Sequence, residues 1–199
     1  MHPLLKKEGF IVDIDGVVGR SVEPIEEGVR GVKKLLDAGK RVVFVSNNST
    51  RSRRILLERL RSFGIPATEK DIISATHATA NFIAKEKVGA KVFTTGEEGL
   101  KEELINAGLK LVDYKEAEYL VVGSNRKLDY DLITKALRCC LRGIRYIATN
   151  PDKIFPSEDG PTPGTGLIIG ALYWMTGRMP DVVVGKPSKV IMLEALERL

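Results

Sequence analysis

Asp13 and Asp15 stand two residues apart at the end of the apolar run Phe10-Ile11-Val12, and Gly16 follows them. Two carboxylates that close repel one another unless a cation or a shared proton lies between them. Mg2+ takes oxygen ligands and keeps several waters, which suits one or two aspartates and a phosphate. Gly16 lets the loop turn sharply and bring backbone N–H groups up to a ligand. The same Asp-Ile-Asp-Gly is also a plain turn capping the next helix, and on its own it leaves both readings open. Ser46, Asn47 and Asn48 end a second apolar run, Arg41-Val42-Val43-Phe44-Val45. Their hydroxyl and amide groups can hold phosphoryl oxygens without adding charge, although Asn and Ser equally form ordinary turns. Lys186, in Gly185-Lys186-Pro187-Ser188, follows a third run, Asp181-Val182-Val183-Val184. Its ammonium can offset the charge of aspartate and phosphate, the alternative being a surface lysine. Acid, donors and lysine thus each arrive at the end of a separate strand. Together they provide a nucleophile, an acid–base group, oxygen-holding donors and a counter-charge, the set that phosphoryl transfer to a carboxylate requires.

The elements that must position these residues are legible in the hydrophobic pattern. Short continuous apolar runs read as strands buried on both faces of a parallel sheet, here at 10–14, 41–46 and 72–74. Helical spacing at Val29, Val32, Leu35 and Leu36, closed by Gly39, predicts a helix over 24–38, and a second spans 52–63 before Gly64 and Pro66. Further strands are predicted at 91–95, 119–122, 145–148 and 181–185, separated by helices at 77–87, 99–107, 129–142 and 164–175, with a last helix over 190–199. This alternation predicts a doubly wound, Rossmann-like parallel α/β sheet. Residues 1–75 and 180–199 form one unit, and 76–179 form a second α/β unit inserted into it.

The chain has 199 residues, 43% hydrophobic and 29% charged, with net charge +5. That balance is ordinary for a globular protein with a packed core. The modest positive charge suits an anionic substrate and does not by itself call for nucleic acid. No apolar run reaches the roughly 20 residues of a membrane span, and the N-terminus lacks the apolar segment of a signal peptide. Cys139 and Cys140, adjacent in a helical pattern, read as reduced thiols. A cytoplasmic protein is the expectation.

These stretches, with Thr149-Asn150-Pro151-Asp152, Phe155-Pro156 and Pro163-Gly164-Thr165-Gly166, span nearly the whole chain in order. In them the chain resembles the haloacid dehalogenase superfamily of aspartate-nucleophile phosphatases, in the NagD-like, para-nitrophenyl phosphatase-like branch with a large α/β cap. The resemblance implies that Asp13 forms an aspartyl-phosphate, and that Asp15 protonates the leaving oxygen and then activates water. It also implies that Gly16, Ser46, Asn47, Asn48 and Lys186 bind the phosphoryl group. Mg2+ would be held by Asp13 and the Asp15 carbonyl, and residues 76–179 would be the cap, through which copies of this branch often pair as homodimers. The implied partner is a small phosphorylated metabolite.

Two departures from the family stand out. Relatives carry a further strand after the lysine helix, ending in acidic residues that complete the metal site, so a third acidic ligand is expected beyond Leu199 and the sequence is expected to be a fragment. The first strand would then be an open apolar edge, an aggregation hazard. Val18-Gly19-Arg20 also replaces the bulkier residue common in relatives. Rival functions are a receiver-like phospho-acceptor without turnover, which the second α/β unit and Asp15 oppose, and a phosphomutase, whose cap usually comes earlier in the chain. Arg51, Arg53, Arg54, Arg59 and Arg61 read as a solvated helix face rather than a nucleic-acid patch, because Glu58 interrupts them and no aromatic residue joins them. His77 reads as a helix-start residue or a hinge group, and Gly164-Thr165-Gly166 as an anion site or a structural helix start. Tyr173 and Trp174 are expected in the core.

Overall fold

The computed structural model describes residues 6–157 and 160–199. In chain order, β1 (Gly9–Asp13) leads through the short strands β2 (Gly19–Arg20) and β3 (Glu23–Pro24) to α1 (Glu26–Asp37). Next come β4 (Arg41–Ser46), α2 (Arg53–Ser62), β5 (Ile72–Ser74) and α3 (Ala75–Glu86). The second half comprises β6 (Lys91–Thr94), α4 (Glu98–Asn106), β7 (Lys110–Leu111), β8 (Tyr119–Val122), α5 (Tyr130–Leu141) and β9 (Arg145–Ala148). It continues with the hairpin β10 (Ile154–Ser157) and β11 (Gly160–Pro163), α6 (Gly166–Thr176), β12 (Val182–Val183) and α7 (Lys189–Leu196).

The predicted α/β alternation is present, as two parallel sheets. The first has the order β1-β4-β5 and the second β12-β9-β8-β6-β7. In the first, Asp13 lies opposite Val45 and Ser46 opposite Ser74. Parallel strands put their carboxyl ends on one side, so the Asp13 and Ser46 loops open onto the same rim. β1 is an edge of this sheet among the described residues. The strand at 181–185 departs from expectation: grouped with residues 1–75 from the sequence, it pairs as β12 with β9, Val182 opposite Ile147, in the second sheet. An apolar run reports burial and not its pairing partner, so sheet membership was not legible in it.

Three apolar clusters bind these layers. Val42, Phe44 and Ile72 on one face of the first sheet pack with Val29 and Val32 of α1 and Leu56 and Leu60 of α2. Val43, Val45 and Ile73 on its other face share a cluster with α3, α4 and α7 and with Val92, Val121 and Ile147 of the second sheet. The far face of that sheet, Leu120, Val122 and Tyr146, packs on Cys139 and Cys140 of α5 and Ile168 and Leu172 of α6. Each fully buried aliphatic side chain contributes about 1.5–3 kcal/mol. Both cysteines are unpaired, and both are buried.

The aromatic pair of α6 departs from the sequence reading. Trp174 is 86% exposed and Tyr173 46%. α6 is apolar around most of its circumference, but only the side with Ile168, Ile169 and Leu172 meets the second sheet and α5. The hairpins were missed because strands of two residues show no period, and β10–β11 carries Pro156, Pro161 and Pro163. No helix among the described residues is long and apolar enough to cross a membrane.

Candidate active site

β1 releases its chain into a tight loop. Val18 and Gly19 donate backbone N–H bonds to the Ile14 carbonyl at 3.0 and 3.1 Å, and Gly16 donates to Gly19 at 3.0 Å. Gly16 has φ +84°, in the left-handed region that glycine enters without strain. Ile14 is buried beneath the loop, while the side chains of Asp13 and Asp15 are 40% and 46% exposed. Asp13 Oδ1 accepts the Ile14 N–H at 2.9 Å and lies 2.7 Å from Lys186 Nζ. Lys186 Nζ also reaches the Val45 carbonyl at 3.4 Å, over the end of β4. The three regions singled out in the sequence therefore converge on one rim.

The donors divide into two kinds. Ser46 Oγ donates to Asp15 Oδ2 at 3.0 Å and accepts the Asn48 N–H at 3.0 Å, facing the carboxylates. Asn47 is engaged at both ends of its amide. Its Oδ1 accepts the Lys186 N–H at 2.7 Å, and its Nδ2 reaches the Lys186 carbonyl at 3.1 Å and the Asp152 carboxylate at 3.1 and 3.2 Å. Asn48 Oδ1 accepts the N–H groups of Thr50 and Arg51 at 3.0 and 2.8 Å, closing the turn before α2. Asn47 thus ties the β4 end to the lysine loop, where a Cβ on Gly185 would meet Asn47 Oδ1 at 2.7 Å and the Thr149 carbonyl at 2.6 Å.

Two residues join the site without having been given a role from the sequence. Asp152, held by Asn47, sits close enough to Asp13 and Lys186 to feel both charges. Burial pushes its carboxyl upward and Asp13 adds to that, against the Asn47 hydrogen bond and the Lys186 charge. Arg59 extends from α2 so that Nη1 lies 2.6 Å from Asp15 Oδ1. It is 8% exposed, contrary to the solvated-face reading of the arginine cluster. The signal was its place in the stripe Leu56, Arg59, Leu60, Phe63, which follows the buried spacing of the helix.

The remaining candidates resolve into structure. The Gly164 and Gly166 N–H groups donate to the Lys153 and Asp152 carbonyls, both at 2.9 Å, and so serve the helix start rather than an anion. His77 is buried between Glu103 and Glu194, 3.3 and 3.2 Å away. A recess of about 440 Å3 is lined by Arg53, His77, Asn81 and Arg198 rather than by Asp13. Among the described residues no cluster of three or more His, Cys, Asp or Glu side chains is arranged to hold a metal. Oxygen donors are nevertheless at hand: Asp13 Oδ2 and the Asp15 carbonyl accept no hydrogen bond from the described residues. Two hard oxygens on one turn fit Mg2+, which keeps waters in its remaining positions.

Comparison with known proteins identifies the family. Residues 10–110 match the haloacid dehalogenase-like hydrolases. The chain is 36% identical over 192 residues to the 5'-nucleotidase YutF of Bacillus subtilis, covering 96% of this chain and 74% of that protein. The structure matches the p-nitrophenyl phosphatase of Archaeoglobus fulgidus with TM-score 0.95 at 75% identity, over 96% of this chain and 74% of that one. It matches the 4-nitrophenylphosphatase of Thermotoga maritima with TM-score 0.92 at 30% identity, over all of this chain and 76% of that one. The chain spans about three quarters of these relatives. Fold, ordered motifs and relatives agree, and the chain belongs to the haloacid dehalogenase family, in its NagD-like, para-nitrophenyl phosphatase-like branch.

Proposed function

We propose that this protein hydrolyses a small phosphomonoester in two in-line steps through Asp13, with Mg2+ as cofactor. The observation that carries the reading is the pairing of Asp13 with Lys186 at 2.7 Å, with the Asp15 carboxylate two residues away on the same open rim. In the first step a carboxylate oxygen of Asp13 attacks phosphorus. The bond to the ester oxygen breaks, and Asp15 gives that oxygen a proton, releasing an alcohol. In the second step Asp15 takes a proton from water, the resulting hydroxide attacks phosphorus, and the bond to Asp13 breaks to release inorganic phosphate. Lys186 offsets the charge gathered at Asp13, and Ser46 and the Val17 N–H, which donates to no acceptor among the described residues, hold phosphoryl oxygens. Mg2+, held by the Asp13 carboxylate and the Asp15 carbonyl, would neutralise charge where carboxylate and phosphate meet.

The second sheet and its helices serve in this reading as the cap that chooses the leaving group. The pairing of β12 in that sheet supports a cap that reaches past residue 179. The apolar outer side of α6, with Trp174, is where two copies would pair, and unpaired thiols suit the cytoplasm.

Asp13→Asn should abolish Mg2+-dependent hydrolysis of p-nitrophenyl phosphate. Undiminished turnover would remove Asp13 as nucleophile. A phospho-acceptor without turnover would instead retain the phosphoryl group on Asp13 and release no phosphate catalytically.

A further inference from the structure

We infer that Arg59 is a positioning residue for Asp15, required for proton transfer to the leaving oxygen rather than for phosphate binding. The inference rests on the phosphatase reading above. Arg59 lies on the buried stripe of α2 and is 8% exposed. Withdrawing a guanidinium from water is costly unless its donors are satisfied. Here they are largely not: among the described residues Nε and Nη2 have no hydrogen-bond partner. One face of the group lies over the Phe63 ring at 5.6 Å, and its one ion pair among the described residues is with Asp15, at 2.6 Å. An apolar side chain of similar length would fill this place at less cost, so the charge is spent on the Asp15 carboxylate.

The effect on Asp15 is geometric. Arg59 holds Oδ1, and Ser46 Oγ, itself fixed by the Asn48 N–H, holds Oδ2 at 3.0 Å. Held at both oxygens, the half-exposed carboxylate is restrained from rotating about its terminal bond. Lys186, not Arg59, faces Asp13 and the phosphate position. Loss of Arg59 should therefore leave phosphate binding in place and misalign the acid. Misplacement of a reacting group by about 1 Å costs on the order of 100-fold.

Leaving groups distinguish this role from a structural one. p-Nitrophenolate departs with little protonation, whereas an alkoxide needs the proton of Asp15. The test compares kcat and KM of Arg59→Met and Arg59→Lys on p-nitrophenyl phosphate and on glycerol phosphate, with folding followed by circular dichroism. Arg59→Met should lower kcat on the alkyl ester at least about tenfold more than on the aryl ester, with little change in KM. Arg59→Lys, which keeps the charge, should recover part of the alkyl rate. An equal loss on both esters, or a change confined to KM, overturns the positioning role. If Arg59→Met does not fold, the same comparison with Arg59→Lys decides, a parallel loss again counting against it. Failure of the phosphatase reading would show separately, as activity surviving in Asp13→Asn.

Discussion

Glu103 of α4 is 2% exposed, yet its carboxylate joins three helices. Oε1 accepts the Arg53 N–H at 2.7 Å at the start of α2, Oε2 lies 3.3 Å from Arg53 Nε, and Oε2 is 3.3 Å from His77 Nδ1 of α3. Replacing it with alanine strands a mostly buried guanidinium, a helix-start N–H and an imidazole nitrogen. Breaking a buried pair by removing one partner costs about 3–5 kcal/mol. The lower end applies, because Arg53 can turn to Glu69, 4.0 Å away, and His77 retains Glu194. Glu103→Ala should therefore destabilise by about 3 kcal/mol, roughly a hundredfold in the folding equilibrium. Glu103→Gln keeps the shape and an acceptor for the Arg53 N–H but loses the charge, costing about 1–2 kcal/mol. Burial alone would raise the Glu103 carboxyl, but the hydrogen bonds from His77 and the Arg53 backbone, with the Arg53 charge, hold it below its ordinary value of 4.5. A depressed carboxyl contributes stability that is present above 4.5 and lost as pH falls through the lower folded value. Urea denaturation at pH 7 and in acid measures both effects, and the gap between the wild type and Glu103→Gln should close in acid. A gap between the wild type and Glu103→Gln that stayed the same from pH 7 into acid would refute the charge argument.

Lys186→Met removes the cation beside Asp13 and should lower kcat/KM about 100-fold or more; because Asn47 binds the main chain of residue 186, the melting temperature should hardly change. Asn47→Ala should instead cost about 2–3 kcal/mol of stability in denaturant titration as well as activity, since it frees both the lysine loop and Asp152. Burial raises the Cys140 thiol and pushes that of Cys139 up to about 11, so neither should react with a disulfide reagent at pH 8 in the native protein, while both should do so in denaturant. Rapid native labelling would contradict the burial of α5 against the second sheet.

Asp13, Asp15, Ser46 and Lys186 were legible in the sequence because residue type and strand end are local properties. An apolar run that stops at an acid, a hydroxyl or a lysine announces both the strand and the group at its tip. The helices and most strands followed from the same short-range periodicity. What lay beyond it needed the fold. Asn47 and Asn48 carried the right chemistry for a phosphate, but whether an amide faces a ligand or braces a loop depends on what stands opposite, and for Asn47 that is Lys186, 139 residues away. Trp174 and β12 show the same limit, since hydrophobicity says that a surface is to be covered and not by which element.

The sequence by itself determined the elements, their order and the identity of the groups at the strand tips, because these depend on backbone periodicity and side-chain chemistry within a few residues. Tertiary structure alone decided that Arg59 turns inward to Asp15 while Arg54 of the same helix stays in solvent, and that Asp152 meets the Asn47 amide. The direction a helix face takes is set by the packing of Leu56 and Leu60 against the sheet, a balance of contacts no local stretch of chain contains.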